Sequence, residues 1–376
     1  MRATQAIIHL DNLQHNILQI KNLIGENVKI CLPVKADAYG HNAIRVAIAG
    51  IRAGVSSLAV ASIPEAIELR NAGVVAPIIS LSIPVLDEIF DIVEYDIHPL
   101  VFDTAFIDAL NKEAGRRKKT AGVHLKIDTG MSRIGCTADE AVNLAEKIQN
   151  AKNLKLHGTA THFSASESLT KADIEFTKKQ ISLFMSAVQK MRNAGLKHGL
   201  LHAANSGAVL QYPQAHFDMV RPGIIVYGYP PSSLLKDIID LKPVMSLITK
   251  VVSIKKIKAG DAVSYNRQWI AQRDTYIGTL PIGYADGLNR RLSPGLKVKI
   301  GDEFFPIVGR ICMDQCMVDL GTAPNVKRWD DVVIFGESKD GNTACDLSDI
   351  AGTIHYEITC NINKRVPRIF TNEIIS

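Results

Sequence analysis

The stretch Val28-Lys29-Ile30-Cys31-Leu32-Pro33-Val34-Lys35-Ala36-Asp37-Ala38-Tyr39-Gly40-His41 decides the fold. Its first seven residues make a short, largely apolar run that closes on a lysine, and a more polar segment follows. That pattern reads as a buried strand with a chemically useful side chain at its C-terminal end. Moving outward, comparable runs recur at 57–61, 77–81, 97–101, 122–127, 156–161, 199–202 and 217–220, with amphipathic helical patterns between them. The alternation predicts βα units on a parallel sheet, and eight such strands predict a closed TIM (β/α)8 barrel, which takes about 250 residues. The helices carry matching punctuation: Pro64 and Pro84 stand in predicted first turns, and Asp103 and Thr137 at predicted N-caps.

After Tyr229-Pro230-Pro231 the texture changes. Runs at 245–254, 275–280, 296–300, 304–308 and 332–335, separated by Gly/Asp turns, predict a β-rich C-terminal domain. At 376 residues the chain exceeds what one core of roughly 250 to 300 residues organises, so two domains are expected. Their predicted extents are 10–235 for the barrel and 236–376 for the β-rich domain. The segment 1–9, with a strand-like run at 5–10, is expected to pair with the latter.

Composition narrows the function classes. Hydrophobic residues at 47% and charged residues at 22% match a soluble globular protein with a full core. The net charge of +5 is spread along the chain, and its densest basic run, Arg116-Arg117-Lys118-Lys119, reads as a solvated helix end. With no aromatic interleaving, no nucleic-acid partner is expected. The six cysteines lack paired metal-ligand spacing, so free thiols and no metal are expected. No apolar run approaches the roughly 20 residues of a membrane span, and no basic-then-apolar leader opens the chain, which together predict a cytoplasmic protein without membrane contact.

In a barrel, chemistry is expected where strands end. Lys35 follows the first run; a lysine there is costly unless neutralised, and condensation with a carbonyl cofactor makes it useful. Alone, it reads first as a rim lysine paired with Asp37. The fifth run leads into Lys126-Ile127-Asp128-Thr129-Gly130-Met131-Ser132-Arg133, the sixth into Thr161-His162-Phe163, the seventh into His202 and Asn205-Ser206-Gly207, and the eighth into Arg221-Pro222-Gly223-Ile224. Small residues and backbone N–H groups after the last two strands suit a phosphate, and Arg221 falls within the same ring of polar groups. An isolated His162 or His202 reads as a satisfied core histidine.

The segment 34–41 closely resembles the cofactor-lysine motif of the alanine racemases. Further segments resemble that family in the same order: 126–135, Thr161-His162-Phe163, 202–206, Arg221-Pro222-Gly223, Gly283-Tyr284-Ala285-Asp286-Gly287, Cys312-Met313-Asp314 and Arg365-Val366-Pro367-Arg368. The resemblance implies a pyridoxal 5'-phosphate enzyme built as a homodimer with its active site shared between protomers, supplying D-alanine for peptidoglycan. Lys35 and Tyr265 are then two bases on opposite faces of the substrate, Tyr265 coming from the other protomer. Arg221 faces the pyridine nitrogen, oriented by His202, with His162 beside the ring. A guanidinium titrating above about 12 keeps its proton, so the ring stays a weak electron sink.

The resemblance gives the phosphate to Tyr39, Ser206, Gly223, Ile224 and Tyr356, with Asn205 beside them. It gives the substrate carboxylate to Arg133, and an inner gate to Tyr284 and Met313. Asp314, Arg290, Arg310 and Glu167 are expected along the entrance, and Lys126 either as a carbamylated lysine paired with Arg133, as the resemblance implies, or as an unmodified lysine near Asp128. Asn42 departs from the glycine usual there, which bears on the local turn. Three rivals remain: a serine or broad-specificity racemase, a barrel-type decarboxylase of ornithine or diaminopimelate, and a non-catalytic pyridoxal-phosphate-binding protein.

Overall fold

The computed structural model describes residues 2–371. Two compact units divide it: one holds Gln14–Ala38 and Ala43–Leu241, the other the residues up to Leu13, Tyr39–Asn42 and the chain from Lys242 onward. Residue 1 and residues 372–376 of the predicted extents lie outside the described residues.

The strand β1 (Gln5–His9) belongs to the second unit. The first unit is a closed parallel barrel of β2 (Lys29–Pro33), β3 (Ser57–Val60), β4 (Ile78–Ser80), β5 (Ile97–Val101), β6 (Ala121–Lys126), β7 (Leu154–Ala160), β8 (Leu200–His202) and β9 (Met219–Val220). The eight predicted runs supply these strands, and β2 pairs with β9 to close the ring. Cys31, Ala59, Ile79, Leu100, Ala160 and Met219 pack one layer of core. Every residue of β5 and β6 is buried, as parallel strands covered on both faces require. That covering carries polar residues inside too, including His98, His124 and Lys126.

Helix signals held in part. Pro64 lies in the first turn of the helix Ile63–Asn71, and the Asp103 carboxylate caps Thr104–Arg116 by accepting from the Phe106 N–H at 2.8 Å. Thr137 differs from expectation: it exchanges hydrogen bonds with Glu140 in a turn, and the helix Ala141–Asn150 starts after Glu140. Pro84 likewise precedes the short 3-10 turn Leu86–Glu88 rather than lying in a first turn. The basic run is solvated but tethered, Arg116 to Glu113 and both Arg117 and Lys119 to Glu94.

The second unit continues with β10 (Met245–Lys250), β11 (Ser253–Ile257), β12 (Ala262–Val263), β13 (Trp269–Ile270), β14 (Thr275–Leu280), β15 (Lys297–Ile300), β16 (Glu303–Val308), β17 (Cys316–Gly321), β18 (Asp331–Phe335) and β19 (Arg368–Thr371). Nine strands form one sheet in the order β11-β14-β17-β16-β15-β18-β10-β1-β19, and β12 pairs with β13. The run 245–254, read as one strand, is two. Its backbone changes partners in the middle, with the Val251 N–H donating to Asp330 O and the Val252 N–H to Thr279 O. β1 lies between β10, antiparallel to it, and β19, parallel to it. No described helix is long and apolar enough to cross a membrane.

Candidate active site

Immediately after β2 the backbone does something its residue types do not announce. Ala36, Asp37, Ala38 and Tyr39 take φ values of 52°, 53°, 54° and 55°, a left-handed turn made without glycine. Such conformations cost roughly 1–2 kcal/mol per residue and persist where surrounding bonds impose them. Here the Ala38 N–H donates to Val34 O at 2.8 Å, the Ala36 N–H to Glu65 Oε1 at 2.8 Å, and the Ala43 N–H to Asp37 Oδ1 at 2.8 Å. Glu65 also accepts from the Ala61 and Ser62 N–H groups, so one carboxylate ties Lys35's turn to the next helix. Asn42 has φ 77°, a left-handed position where glycine or asparagine fits.

Lys35 lines a cavity of about 400 Å3 at the C-terminal ends of the barrel strands. Lys126, Arg133, His162, His202 and Arg221 line it too, with apolar walls from Leu81, Ile83, Leu100 and Ile134. Four cationic side chains therefore share one cavity, and no carboxylate is among its lining residues. Burial, then Arg221, pull the Lys126 ammonium down to about 8, while Asp128 opposes the shift. Lys126 donates to Ile127 O at 3.0 Å. Asp128 instead collects the Gly130, Met131 and Ser132 N–H groups at 2.9, 3.0 and 3.2 Å, shaping the loop that carries Arg133.

Arg221 is buried and its donors are nearly all spoken for. Nη1 donates to His202 Nδ1 at 2.7 Å and His202 O at 2.8 Å. Nη2 donates to Thr161 O at 2.7 Å and Ala203 O at 3.1 Å, with His162 Nδ1 at 3.3 Å. Among the described residues no acceptor takes its Nε–H, although the residue lines the cavity. A guanidinium in this setting offers one further donor to a ligand atom that has a lone pair. Burial lowers Arg221 to about 10, below the value expected for arginine, which leaves it charged at neutral pH. Burial, then Arg221's charge, push His162 and His202 well below their ordinary range, so both rings are neutral.

Beside this cavity, still in the barrel, Asn205 caps the helix Ser206–Gln211, accepting from the Ala208 N–H at 3.1 Å and donating to Phe163 O at 3.1 Å. Ser206 Oγ accepts from the Gly223 N–H at 2.9 Å, which brings the expected phosphate residues of the last two strand ends together. Ile224 follows, fully buried. Glu167 does not line the cavity; its backbone N lies where a side chain on Gly207 would stand, at 2.8 Å from the Cβ position.

The remaining expected residues lie in the second unit. Tyr39 and Tyr356 pair with ring centroids 6.1 Å apart. Tyr265, Cys312, Met313 and Asp314 line a separate open pocket of about 870 Å3. Tyr265 is 69% exposed on a turn whose Ser264, Asn266 and Arg267 all have positive φ, held by Ser264 Oγ donating to Arg310 O at 2.8 Å. Arg290 stacks 6.0 Å from the Tyr284 ring centroid. Asp314 accepts from Arg365 at 2.7 Å, and Arg365 also reaches the buried Asp286, a residue the sequence reading quoted in a motif without giving it a role. All six cysteines are free thiols, and no metal-ligating cluster occurs among the described residues.

Comparison with known proteins agrees across both units. The family model for the alanine racemase N-terminal domain matches residues 8–231, and that for the alanine racemase C-terminal domain matches 244–370. An alanine racemase of Treponema denticola is 64% identical over the whole of both chains, and one of Treponema pallidum is 49% identical over 98% of this chain and all of its own. Among solved structures, an alanine racemase of Clostridium difficile 630 superposes with a TM-score of 0.93 at 37% identity, covering all of this chain and 98% of its own.

Proposed function

The chain belongs to the alanine racemase family, and from that premise we propose that it interconverts L- and D-alanine with pyridoxal 5'-phosphate held on Lys35. The observation that supports the cofactor is the donor set of the barrel cavity: four cations without a carboxylate among the lining residues, and an Nε–H of Arg221 left for a ligand lone pair. A phosphorylated pyridine aldehyde matches that set with its anionic groups, its ring nitrogen and its carbonyl. When bound, it supplies a conjugated ring that takes up the charge left as the Cα proton departs.

The residues divide the work. The Lys35 amine takes or returns the Cα proton on one face, and the Tyr265 phenol of a second copy serves the other face. Arg221 donates to the ring nitrogen without surrendering its proton, and His202, through Nδ1, holds the guanidinium in place. Arg133 receives the substrate carboxylate. Ser206 and Ile224 would meet the phosphate with neutral donors, with Gly223 bordering it and its N–H steadying Ser206 Oγ, and the hydroxyls of Tyr39 and Tyr356 would join them. Tyr284 and Met313 narrow the approach for a small side chain, with Asp314 beside them.

Lys126, held near 8, is neutral in about a tenth of molecules at pH 7, and the neutral amine is the form that captures carbon dioxide. Carbamylation replaces one of the crowded cations with an anion facing Arg133. The enzyme works as a homodimer in the cytoplasm and makes D-alanine for peptidoglycan. The direct test is incubation of the full chain with L-alanine, L-serine and L-lysine in turn, following chirality, with Lys35→Ala as control. Alanine turns over fastest; loss of carbon dioxide in place of inversion, or equal inversion by the control, overturns the reading.

A further inference from the structure

We propose that His124, on β6 beneath the candidate site, is a positioning residue that accepts the Nε2 proton of His202, holding that ring in the one tautomer Arg221 can pair with and so keeping Arg221 aligned. The inference rests on the role given to Arg221 above. It starts from a group with no choice: a guanidinium has donors and no acceptor. Arg221 gives an N–H to His202 Nδ1 at 2.7 Å, so that nitrogen carries a lone pair and the neutral ring's proton sits on Nε2. His202 Nε2 lies 2.9 Å from His124 Nδ1 and donates to it, which leaves His124's own proton on Nε2. One arrangement satisfies all three groups. Reversing either ring sets an N–H against an N–H.

The surroundings oppose adding a proton to the row. Both rings are buried in the barrel, and the charged groups around them are the cations Arg221 and Lys126. On the far side stand His98, 6.0 Å from His124 between centroids, and His157, 4.6 Å from His98. Asp96 is the carboxylate there, and it lies 3.6 Å from His98 Nε2. Burial, then His98 and His157, lower His124 well below the ordinary histidine range, while burial, then His98, bring His157 down to about 4.

The strands also make room for the row. A Cβ at Gly158 of β7 would stand 2.5 Å from His124 Nδ1, and one at Gly122 of β6 would stand 2.8 Å from the His98 ring. A cavity of about 210 Å3 opens beyond, lined by His98, His124 and His157. Without His124 the His202 Nε2–H has lost its acceptor in a buried place. The ring then gains by turning or by shifting its proton to Nδ1, which faces it against Arg221.

The test begins with the full chain carrying 15N-histidine. Long-range proton–nitrogen spectra are expected to give His202 a protonated Nε2 and a bare Nδ1 throughout about pH 6 to 9. In His124→Leu that pattern changes, and kcat for alanine falls roughly 10-fold while KM moves less than about threefold. His124→Asn, whose Oδ1 stands where Nδ1 stood, restores both readouts to within about threefold of the parent. A bare Nε2 in the parent overturns the proposal even if no variant folds. So does His124→Leu with lower thermal stability but unchanged tautomer and kcat, since packing then explains the residue. A parent with these tautomers that fails to racemise alanine ends the functional reading and leaves the histidine row standing.

Discussion

The barrel mouth gathers Lys35, Lys126, Arg133 and Arg221 around one cavity whose lining includes no carboxylate, whereas the strand-rich unit buries Asp286 against two guanidiniums, Arg2 and Arg365, each at 2.6 Å. Both regions take charge out of water, which is expensive unless a partner is close. In the strand-rich unit the chain supplies the partners itself. At the mouth it leaves excess positive charge and an unused donor, the set that the proposed cofactor would complete. A similar contrast holds for aromatic groups. Tyr227 and Tyr229 are fully buried in the barrel, while Tyr265 and Met313 in the strand-rich unit are 69% and 53% exposed.

The strongest way to break the comparison is to remove the cation that the resemblance makes essential. Lys35→Ala is expected to lower racemisation by roughly 10^4-fold or more, because on the proposed reading it deletes the covalent anchor and one base together. Next comes Tyr265→Phe, which keeps the ring and removes the phenol; a loss of roughly 10^2- to 10^4-fold is expected in kcat, with substrate affinity little changed. Mixing that variant with Lys35→Ala protomers should recover part of the activity if Tyr265 acts on the other copy's barrel. Full activity of Tyr265→Phe alone breaks the two-base assignment.

Much of this was legible before any coordinates, for reasons visible in particular residues. Parallel strands buried on both faces advertise themselves as apolar runs, so all eight barrel strands were readable, and a barrel's polar residues at strand ends follow from the fold. The left-handed turn at 36–39 was not, because alanines at 36 and 38 disfavour positive φ and hydrogen bonds to Val34, Ala43 and, from the next helix, Glu65 impose it. β17 was missed and the run 245–254 was fused, since an edge of pairing is set by partners far along the chain. His124 and His202 are 78 positions apart, and periodicity reports that each is buried, never that their rings touch. Arg221 was expected to titrate above about 12; burial, invisible to residue type, lowers it.

A finer probe asks whether the mouth's excess charge is felt before any ligand arrives. Lys126 titrates near 8 in the fold and near 10.4 when unfolded, so between those values the unfolded chain binds more protons and stability rises with pH. The gain is about 3 kcal/mol over that window for protein stripped of cofactor and carbon dioxide. Lys126→Met, which removes the titrating group among Arg221, Asp128, Arg133 and Cys136, should show a flatter profile in urea unfolding from about pH 8 to 10. In bicarbonate the parent should gain the mass of one carbon dioxide at Lys126. Parallel pH profiles for parent and variant would remove Lys126 from the argument about crowding.

The smallest expected effect lies on the satisfied side of the comparison. Burial alone would raise the Asp286 carboxyl, but hydrogen bonds from Arg2, Arg365 and the Gly283 N–H outweigh it and hold it below the ordinary range. Its contribution is therefore present above about pH 4 and lost as acid protonates the folded carboxylate. Asp286→Asn keeps the shape and removes the charge. Because Arg2 and Arg365 are partly exposed and can turn to water, the loss should be modest, about 2 kcal/mol in urea unfolding at pH 7, and should shrink steadily as the pH falls below about 4. Alanine kinetics should stay within about threefold of the parent, since the carboxylate supports the turn carrying Tyr284 without meeting substrate. A large kinetic loss without a stability loss would mean that this buried charge, too, is part of the chemistry, and the division between a completed and an open charge cluster would fail.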